Sequence, residues 1–209
     1  MNADRLQEYW KNWVASGKDT HSDMWLDRYI KNDGKSYNTL DLGCGDGQET
    51  EYLLRCGHKV ISADFEQSNL DKVDKISGSK TILFDMRKDW KTFDENQFDA
   101  VVASLSVQYF DTETTNRIFG EIKRILKPGG KLYARVNSTK DILHGAGDGE
   151  LIEENFYIDR ERGIPKRYFD EGAIKKFFTP FGQYSYYESI GKYDYKEKPV
   201  FEIVAVNEK

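Results

Sequence analysis

The first thirty residues of the chain place apolar residues at the spacing of amphipathic helices. The first predicted helix ends at Gly17, and a second one stops at Gly34. The apolar stripe of the first helix consists of Leu6, Tyr9, Trp10, Trp13 and Val14. The second apolar set consists of Trp25, Leu26, Tyr29 and Ile30.

From residue 38 onward, short apolar runs alternate with helical patterns. These runs predict strands at 39–42, 59–63, 81–84, 98–104 and 131–136. Helices are predicted between them at 48–56, 67–75 and 112–126. This alternation is typical of a parallel sheet with helices on both faces.

The last forty residues follow a different pattern. A short helix is predicted at 169–178, followed by strands at 183–190 and 200–206. Their short connection suits an antiparallel hairpin. The predicted fold class is therefore α/β, with a doubly wound seven-stranded sheet of five parallel strands plus a C-terminal antiparallel hairpin, preceded by N-terminal helices. The stretch 138–168 is long for a connection, so we expect it to be functional or disordered.

Composition narrows the class of protein. The chain has 209 residues, which predicts a single domain, and its 14% aromatic content excludes full disorder. The net charge is −5 and no basic stripe is visible, so we expect no nucleic-acid partner. No apolar run is long enough to span a membrane, and the polar N-terminus argues against a signal peptide.

The cysteines and histidines carry no metal or disulfide pattern. Cys44 and Cys56 make no disulfide framework, so the expected location is the reducing cytoplasm. The three histidines do not have the spacing of a metal site, and we expect no metal. A monomer is the default expectation.

The most informative segment is a glycine-rich turn, Leu40-Asp41-Leu42-Gly43-Cys44-Gly45-Asp46-Gly47, between a strand and a helix. Glycines permit a tight turn and let a ligand approach the backbone. No Gly-Lys-Ser/Thr follows, which excludes a nucleotide-triphosphate loop. The glycines are spaced G-x-G-x-G and not G-x-G-x-x-G, and Asp41 would repel a pyrophosphate.

Three aspartates follow successive predicted strands. Asp41 lies at the turn entrance, Asp64 ends the next strand, and Asp85 ends the third. The carboxyl ends of adjacent strands share one crevice in such a sheet. Together the three carboxylates would accept hydrogen bonds from an amine, a ribose and an adenine amino group, which are the polar groups of S-adenosylmethionine.

With these motifs in order, the chain resembles the class I S-adenosylmethionine-dependent methyltransferases, which have a Rossmann-like fold. Their D-x-G-x-G-x-G signature matches the aspartate and glycines of the turn, and their fourth strand matches 98–102. Their L-K-P-G-G turn matches residues 126–130. The segment 8–14 is similar to the leader of the small-molecule thiopurine and tellurite-resistance methyltransferases.

The resemblance implies a role for each matched residue. The three glycines of the turn would approach the methionine portion of the cofactor: Gly43, Gly45 and Gly47. Asp41 would contact the ammonium group of the cofactor, and Asp64 would bind its ribose. Phe65, Asp85 and Met86 would contact the adenine, and the Ser104 carbonyl the ammonium. Tyr9 and Trp13 would close over the cofactor. The implied organisation of residues 1–209 is a helical cap (1–34), a cofactor-binding core (36–137), a substrate loop (138–168), and a C-terminal helix and hairpin (169–209).

The acceptor side has weaker signals. Candidate substrate contacts are Tyr109, Arg135, Asn137 and His144. No motif for a catalytic base is recognisable, and the residues after Ser104 lack the motif of nucleic-acid amine methylation, which favours a small-molecule acceptor. Two alternatives stay open at this point: a nicotinamide-dependent oxidoreductase, and a non-catalytic module that binds the cofactor as a sensor.

Overall fold

The computed structural model of the chain describes residues 3–16, 23–76, 78–88, 90–160, 162–193 and 196–209. Its main sheet begins with five strands. They are β1 (Asn38–Leu42), β2 (Lys59–Asp64), β3 (Lys80–Leu83), β4 (Phe98–Ser104) and β5 (Leu126–Asn137). A second sheet contains β6 (Glu150–Glu153), β7 (Phe156–Ile158) and β8 (Pro165–Arg167). The chain then returns to the main sheet with β9 (Gly182–Tyr193) and β10 (Lys196–Asn207).

The main sheet has seven strands in the order β3-β2-β1-β4-β5-β10-β9. The first five strands are parallel, and β10 is antiparallel to both of its neighbours. This confirms the predicted fold class. The chain order reverses between β1 and β4, which is the switch point where sheets of this kind open a crevice at their carboxyl ends.

Five α-helices accompany the strands in the described ranges. They are α1 (Ala3–Ala15), α2 (Gln48–Arg55), α3 (Gln67–Val73), α4 (Thr112–Ile125) and α5 (Glu171–Phe178). Asp111 and Asp170 begin α4 and α5, because each side chain accepts a backbone N–H three residues on, from Thr114 and Ala173. The largest apolar cluster packs between the sheet and these two helices and includes Ile118, Phe119, Ile122, Ile174, Phe177 and Phe178.

The prediction of a second N-terminal helix was wrong. Between residues 23 and 34, the described part of this segment, the structure has a short 3-10 turn, Trp25–Arg28, whose Trp25 side chain is buried. Asn32 and Asp33 accept the backbone N–H groups of Gly34 and Lys35, and such local bonds compete with a helix. The predicted end of the first helix, Gly17, lies outside the described residues.

The stretch 138–168 contains the small antiparallel sheet, which the sequence analysis did not identify. The two-residue connection between β6 and β7 includes Asn155 at a φ of 55°, a left-handed conformation typical of tight hairpins. An isolated bridge joins Ser138 to Phe169. The stretch therefore has internal structure and places its own side chains beside the main sheet. In the described part of the chain, no helix has the length and apolar character needed to cross a bilayer.

Candidate functional site

A cavity opens at the carboxyl ends of β1, β2, β3 and β4. Its walls combine the glycine turn, the segments that follow β2, β3 and β4, one face of α1, and residues of the stretch 138–168. The cavity therefore coincides with the crevice that the strand order creates. The wall residues that were sequence candidates are Tyr9, Trp13, Gly43, Gly45, Asp64, Phe65, Asp85, Met86, Ser104, Tyr109 and His144.

The glycine turn needs its glycines for different reasons. Gly43 has a φ of +74°, and a Cβ there would lie 2.4 Å from Cβ of Ser106. Gly45 has a φ of +53°, and a Cβ there would meet no heavy atom within 4 Å, so this backbone is open to a close neighbour. Gly47 does not line the cavity, because it packs on α3, where a Cβ would lie 2.8 Å from Val73.

Asp64 ties two parts of the cavity wall together. Its Oδ2 accepts the backbone N–H of Gly45 at 3.0 Å, and its Oδ1 accepts that of Glu66 at 2.8 Å. The residue is 5% exposed, and this burial raises the pKa of its carboxyl above the ordinary value despite hydrogen bonds from these two backbone groups and from the Asn69 side chain. A carboxylate has about four acceptor positions, so the group can still accept a hydrogen bond from a ligand hydroxyl.

Asp85 and Met86 lie beside this site, after β3. Burial raises the pKa of Asp85, but hydrogen bonds from Arg87 outweigh it and hold the pKa below its ordinary value. Asp85 therefore stays ionised in the cavity wall. Met86 is 7% exposed and, with Phe65, offers an apolar surface in the same cavity wall.

Asp41 does not reach the cavity, so the expected direct contact with an ammonium group is not made by this side chain. It is 1% exposed, and its Oδ2 accepts the hydroxyl of Thr50 at 2.6 Å. Burial, followed by the charge of Glu49, raises its pKa well above the ordinary value. Asp41 instead anchors the first turn of α2 beneath the glycine turn.

The segment after β4 contains a residue that the sequence analysis missed. Ser106 donates its hydroxyl to the carbonyl of Leu42 at 2.7 Å, which fixes this segment against the glycine turn. Leu105, next to Ser104, has a φ of 50°, an uncommon conformation for a branched side chain. Strain of this kind clusters at functional sites. No local sequence signal distinguishes Ser106 from any other loop serine.

Aromatic rings from α1 cover one side of the cavity. Tyr9 and Trp13 stack with their ring centroids 6.1 Å apart, and Trp10 meets Tyr109 edge-on at 5.5 Å. Tyr109 follows β4, and burial raises the pKa of its hydroxyl. Trp10 was assigned only to the helical stripe, yet it lines the cavity as well.

Arg135 and Asn137 do not line the cavity, so their expected place at its mouth was wrong. Arg135 is 2% exposed and forms an ion pair with Asp23 at 2.6 Å. It packs so closely on β9 that a Cβ at Gly191 would lie 1.9 Å from its Nη2. Asn137 is fully buried. Alternation along β5 places both side chains on one face, as expected. On that face Arg135 packs against Asp23 and Trp25 of the N-terminal segment and against Gly191 of β9.

His144 lines the cavity from the stretch 138–168, and its Nδ1 hydrogen-bonds to Oδ1 of Asp141. Asp141 is fully buried. Because a carboxylate only accepts, Nδ1 carries the proton of the neutral ring and Nε2 is left as an acceptor. Within the described residues, no group of three or more His, Cys, Asp or Glu side chains could hold a metal ion.

The wall fits the groups of S-adenosylmethionine in its donor and acceptor chemistry. Asp64 offers free lone pairs, Phe65 and Met86 an apolar surface, and Gly45 an open stretch of backbone. Ser104 lines the cavity at the end of β4. These features suit a ligand with a diol, a flat ring and an amino-acid portion.

Comparison with known proteins agrees with this geometry. Residues 40–134 match the family model described as a methyltransferase domain. The chain is 31% identical to the putative methyltransferase YqeM of Bacillus subtilis over 146 residues, which is 67% of this chain and 55% of YqeM. The chain spans 22% and 55% of the lengths of two curated relatives that it matches, about half or less.

Solved structures share the fold. The 1,6-didemethyltoxoflavin-N1-methyltransferase of Burkholderia thailandensis, crystallised with S-adenosylhomocysteine, superposes with a TM-score of 0.71 over 99% of this chain and 89% of its own, at 15% identity. A SAM-dependent methyltransferase from Methanosarcina mazei gives a TM-score of 0.67 over 88% of this chain and 97% of its own, at 19% identity. The chain thus matches a methyltransferase domain over residues 40–134, and its fold is shared with S-adenosylmethionine-dependent methyltransferases of known structure.

Proposed function

We propose that the protein transfers the methyl group of S-adenosylmethionine to a small-molecule acceptor. The observation that supports this most directly is the position of Asp64, which lies in the cavity wall and holds the backbone of the glycine turn. In this proposal Asp64 accepts the ribose hydroxyls, and Asp85 accepts the adenine amino group. The carbonyl of Ser104 accepts the ammonium.

When bound, S-adenosylmethionine supplies a methyl group already activated by a sulfonium. The protein then contributes alignment of the acceptor and exclusion of water. Tyr9, Trp13 and Tyr109 form an aromatic wall suited to both tasks. Where the acceptor carries a proton, Nε2 of His144 takes it, and Asp141 stabilises the imidazolium that results.

The proposed acceptor is a small molecule because rings of α1 and the stretch 138–168 both wall the cavity. The net charge of −5 favours neither nucleic acid nor an acidic membrane surface as a partner. Cys44 and Cys56 are both free thiols, which suits the cytoplasm, and we propose a monomer there.

A radiolabelled-methyl screen against thiols, phenols, amines and metalloid oxyanions tests the proposal. We expect transfer to one of these classes, and loss of transfer in Asp64→Ala. Binding of S-adenosylmethionine without transfer to any class would favour a sensor. Tight binding of a nicotinamide cofactor, with none of S-adenosylmethionine, would favour an oxidoreductase.

A further inference from the structure

One part of the cavity wall carries buried positive charge that the proposed cofactor contacts do not use. Lys166 on β8 is 5% exposed and Lys198 on β10 is 7% exposed, and both line the cavity. Arg162, an exposed residue, lines it too. Lysine is rarely this buried unless an anion accompanies it.

Among the described residues, the ammonium group of Lys166 forms no hydrogen bond with an anionic group. Its Nζ donates to the carbonyl oxygen of His144 at 3.1 Å and lies 4.9 Å from the ring centroid of Tyr168. None of the ion pairs found between described residues includes Lys166. Asp141 favours the charge of both lysines and Asp159 favours that of Lys166, but neither carboxylate forms an ion pair with Lys166.

Burial disfavours the charged forms of these two lysines. It lowers the pKa of Lys166 to about 8 and that of Lys198 to about 7, and the charge of Lys166 lowers the latter further. An ammonium group without an ion-pair partner, such as that of Lys166, is costly in the buried wall that holds both lysines unless a ligand supplies negative charge. Their position in the wall of the cavity, and not beneath it, gives a ligand access to them.

We propose that the acceptor carries an oxyanion, a carboxylate or a phosphate, and that Lys166 binds it with the help of Lys198. The inference rests on the proposed function, because it assumes that the part of the cavity lined by Lys166 and Lys198 binds the methyl acceptor. The rings of Trp10 and Tyr109 in the same cavity favour an acceptor with a flat apolar body. The acceptor class is therefore an aromatic or similarly flat acid.

Calorimetry on the full chain saturated with S-adenosylhomocysteine tests this with matched probes. Benzoate is compared with benzamide, and phenyl phosphate with phenol. We expect at least one anion to bind about tenfold or more tightly than its neutral partner. We expect Lys166→Met to abolish this preference. Lys72→Met is the matched control, since Lys72 is an exposed lysine of the same wall on α3 and should keep the preference.

Several outcomes would overturn the inference. One is equal affinity for each anion and its neutral partner in the wild type. Another is a Lys166→Met variant that loses affinity for S-adenosylhomocysteine but keeps the anion preference, which would assign the lysine to the cofactor's own carboxylate. If Lys166→Met does not fold, Lys198→Met replaces it, with the same loss expected. Failure of the wild type to bind S-adenosylhomocysteine would instead contradict the proposed function.

Discussion

Gly45 donates its backbone N–H to Oδ2 of Asp64 at 3.0 Å, so the carboxylate that ends β2 also fixes the glycine turn after β1. The glycine turn and Asp64, which point most strongly to the cofactor, are thus held together by a hydrogen bond. We therefore expect a substitution in one of them to shift the other.

We expect Asp64→Ala to weaken binding of S-adenosylhomocysteine by about tenfold or more, because a charged acceptor and the anchor of the turn are both lost. Isothermal titration calorimetry measures the affinity. Asp71→Ala is the control, since Asp71 is an exposed aspartate on α3 that accepts a hydrogen bond from its neighbour Gln67 and does not line the cavity. Unchanged affinity in Asp64→Ala would remove Asp64 from the site.

The glycine turn offers a matched pair of substitutions. Gly43→Ala and Gly45→Ala both add a Cβ at positive φ, but only the first one drives it to 2.4 Å from Ser106. We expect Gly43→Ala to lower the free energy of unfolding by more than about 1 kcal/mol, and Gly45→Ala to lower it less. Denaturant unfolding measures both. Equal losses would show that backbone conformation alone, and not the contact with Ser106, requires glycine at position 43.

We expect substitutions of Asp41 to change the stability of the fold, because this side chain is buried and does not line the cavity. Its carboxyl accepts the hydroxyl of Thr50, which lies 2.7 Å from the hydroxyl of Ser62. Asp41→Leu removes the acceptor of the buried Thr50 hydroxyl and should lower the free energy of unfolding by about 1–3 kcal/mol. Asp41→Asn keeps an acceptor and should cost less. If the two variants unfolded at the same denaturant concentration, the hydrogen bond would not be what matters here.

His144→Gln should lower kcat by about a hundredfold or more for an acceptor that must lose a proton, and leave the affinity for S-adenosylhomocysteine unchanged. Asp141→Asn should also reduce kcat, because it removes the carboxylate that orients the imidazole ring of His144. The rates are measured with the acceptor found in the methyl-transfer screen. His58→Gln, at a buried histidine outside the cavity wall, is the control. A normal kcat in His144→Gln would exclude it as the base.

Lys198 predicts a pH dependence of stability. Burial lowers its pKa from 10.5 to about 7 in the folded chain, so the unfolded chain binds more protons between these values. The buried charge of Lys198 therefore lowers the free energy of unfolding most below pH 7. This penalty disappears as the pH rises towards 10.5. Lys166, Asp141, Arg135 and Arg162 also act on this group.

We expect Lys198→Met to raise Tm at pH 6, by about 2–4 °C for each kcal/mol gained, with a smaller gain at pH 9. Thermal unfolding followed by circular dichroism at the two pH values gives the comparison. Lys72→Met, at an exposed lysine, should change Tm little at either pH. A Tm that falls at pH 6 in Lys198→Met would mean that the ammonium stabilises the fold.

The parts of the fold that follow from local sequence were predictable. The parallel strands are short apolar runs, and the glycine turn carries its own signature, so the crevice between β1 and β4 could be placed. The small sheet was missed because its signal is a single left-handed Asn155. The prediction of a second N-terminal helix was wrong because the side chains of Asn32 and Asp33 accept hydrogen bonds from nearby backbone N–H groups.

The site was harder to predict where it depends on which way a side chain faces. Spacing placed Asp64 and Asp41 alike at strand ends, but packing against α2 turns Asp41 away from the cavity. Arg135 and Asn137 share a face as alternation requires, yet both are buried, and Arg135 pairs with Asp23 from a segment far away in the sequence. Lys166 and Lys198 come from segments that only the folded chain brings together.

Calorimetric titration of the wild type and Asp64→Ala with S-adenosylhomocysteine tests the central claim most directly. We predict one-to-one binding to the wild type, a strong loss in Asp64→Ala, and no binding of a nicotinamide cofactor to either. Absence of binding to the wild type, or equal affinity in the two proteins, would contradict the assignment of this cavity to S-adenosylmethionine.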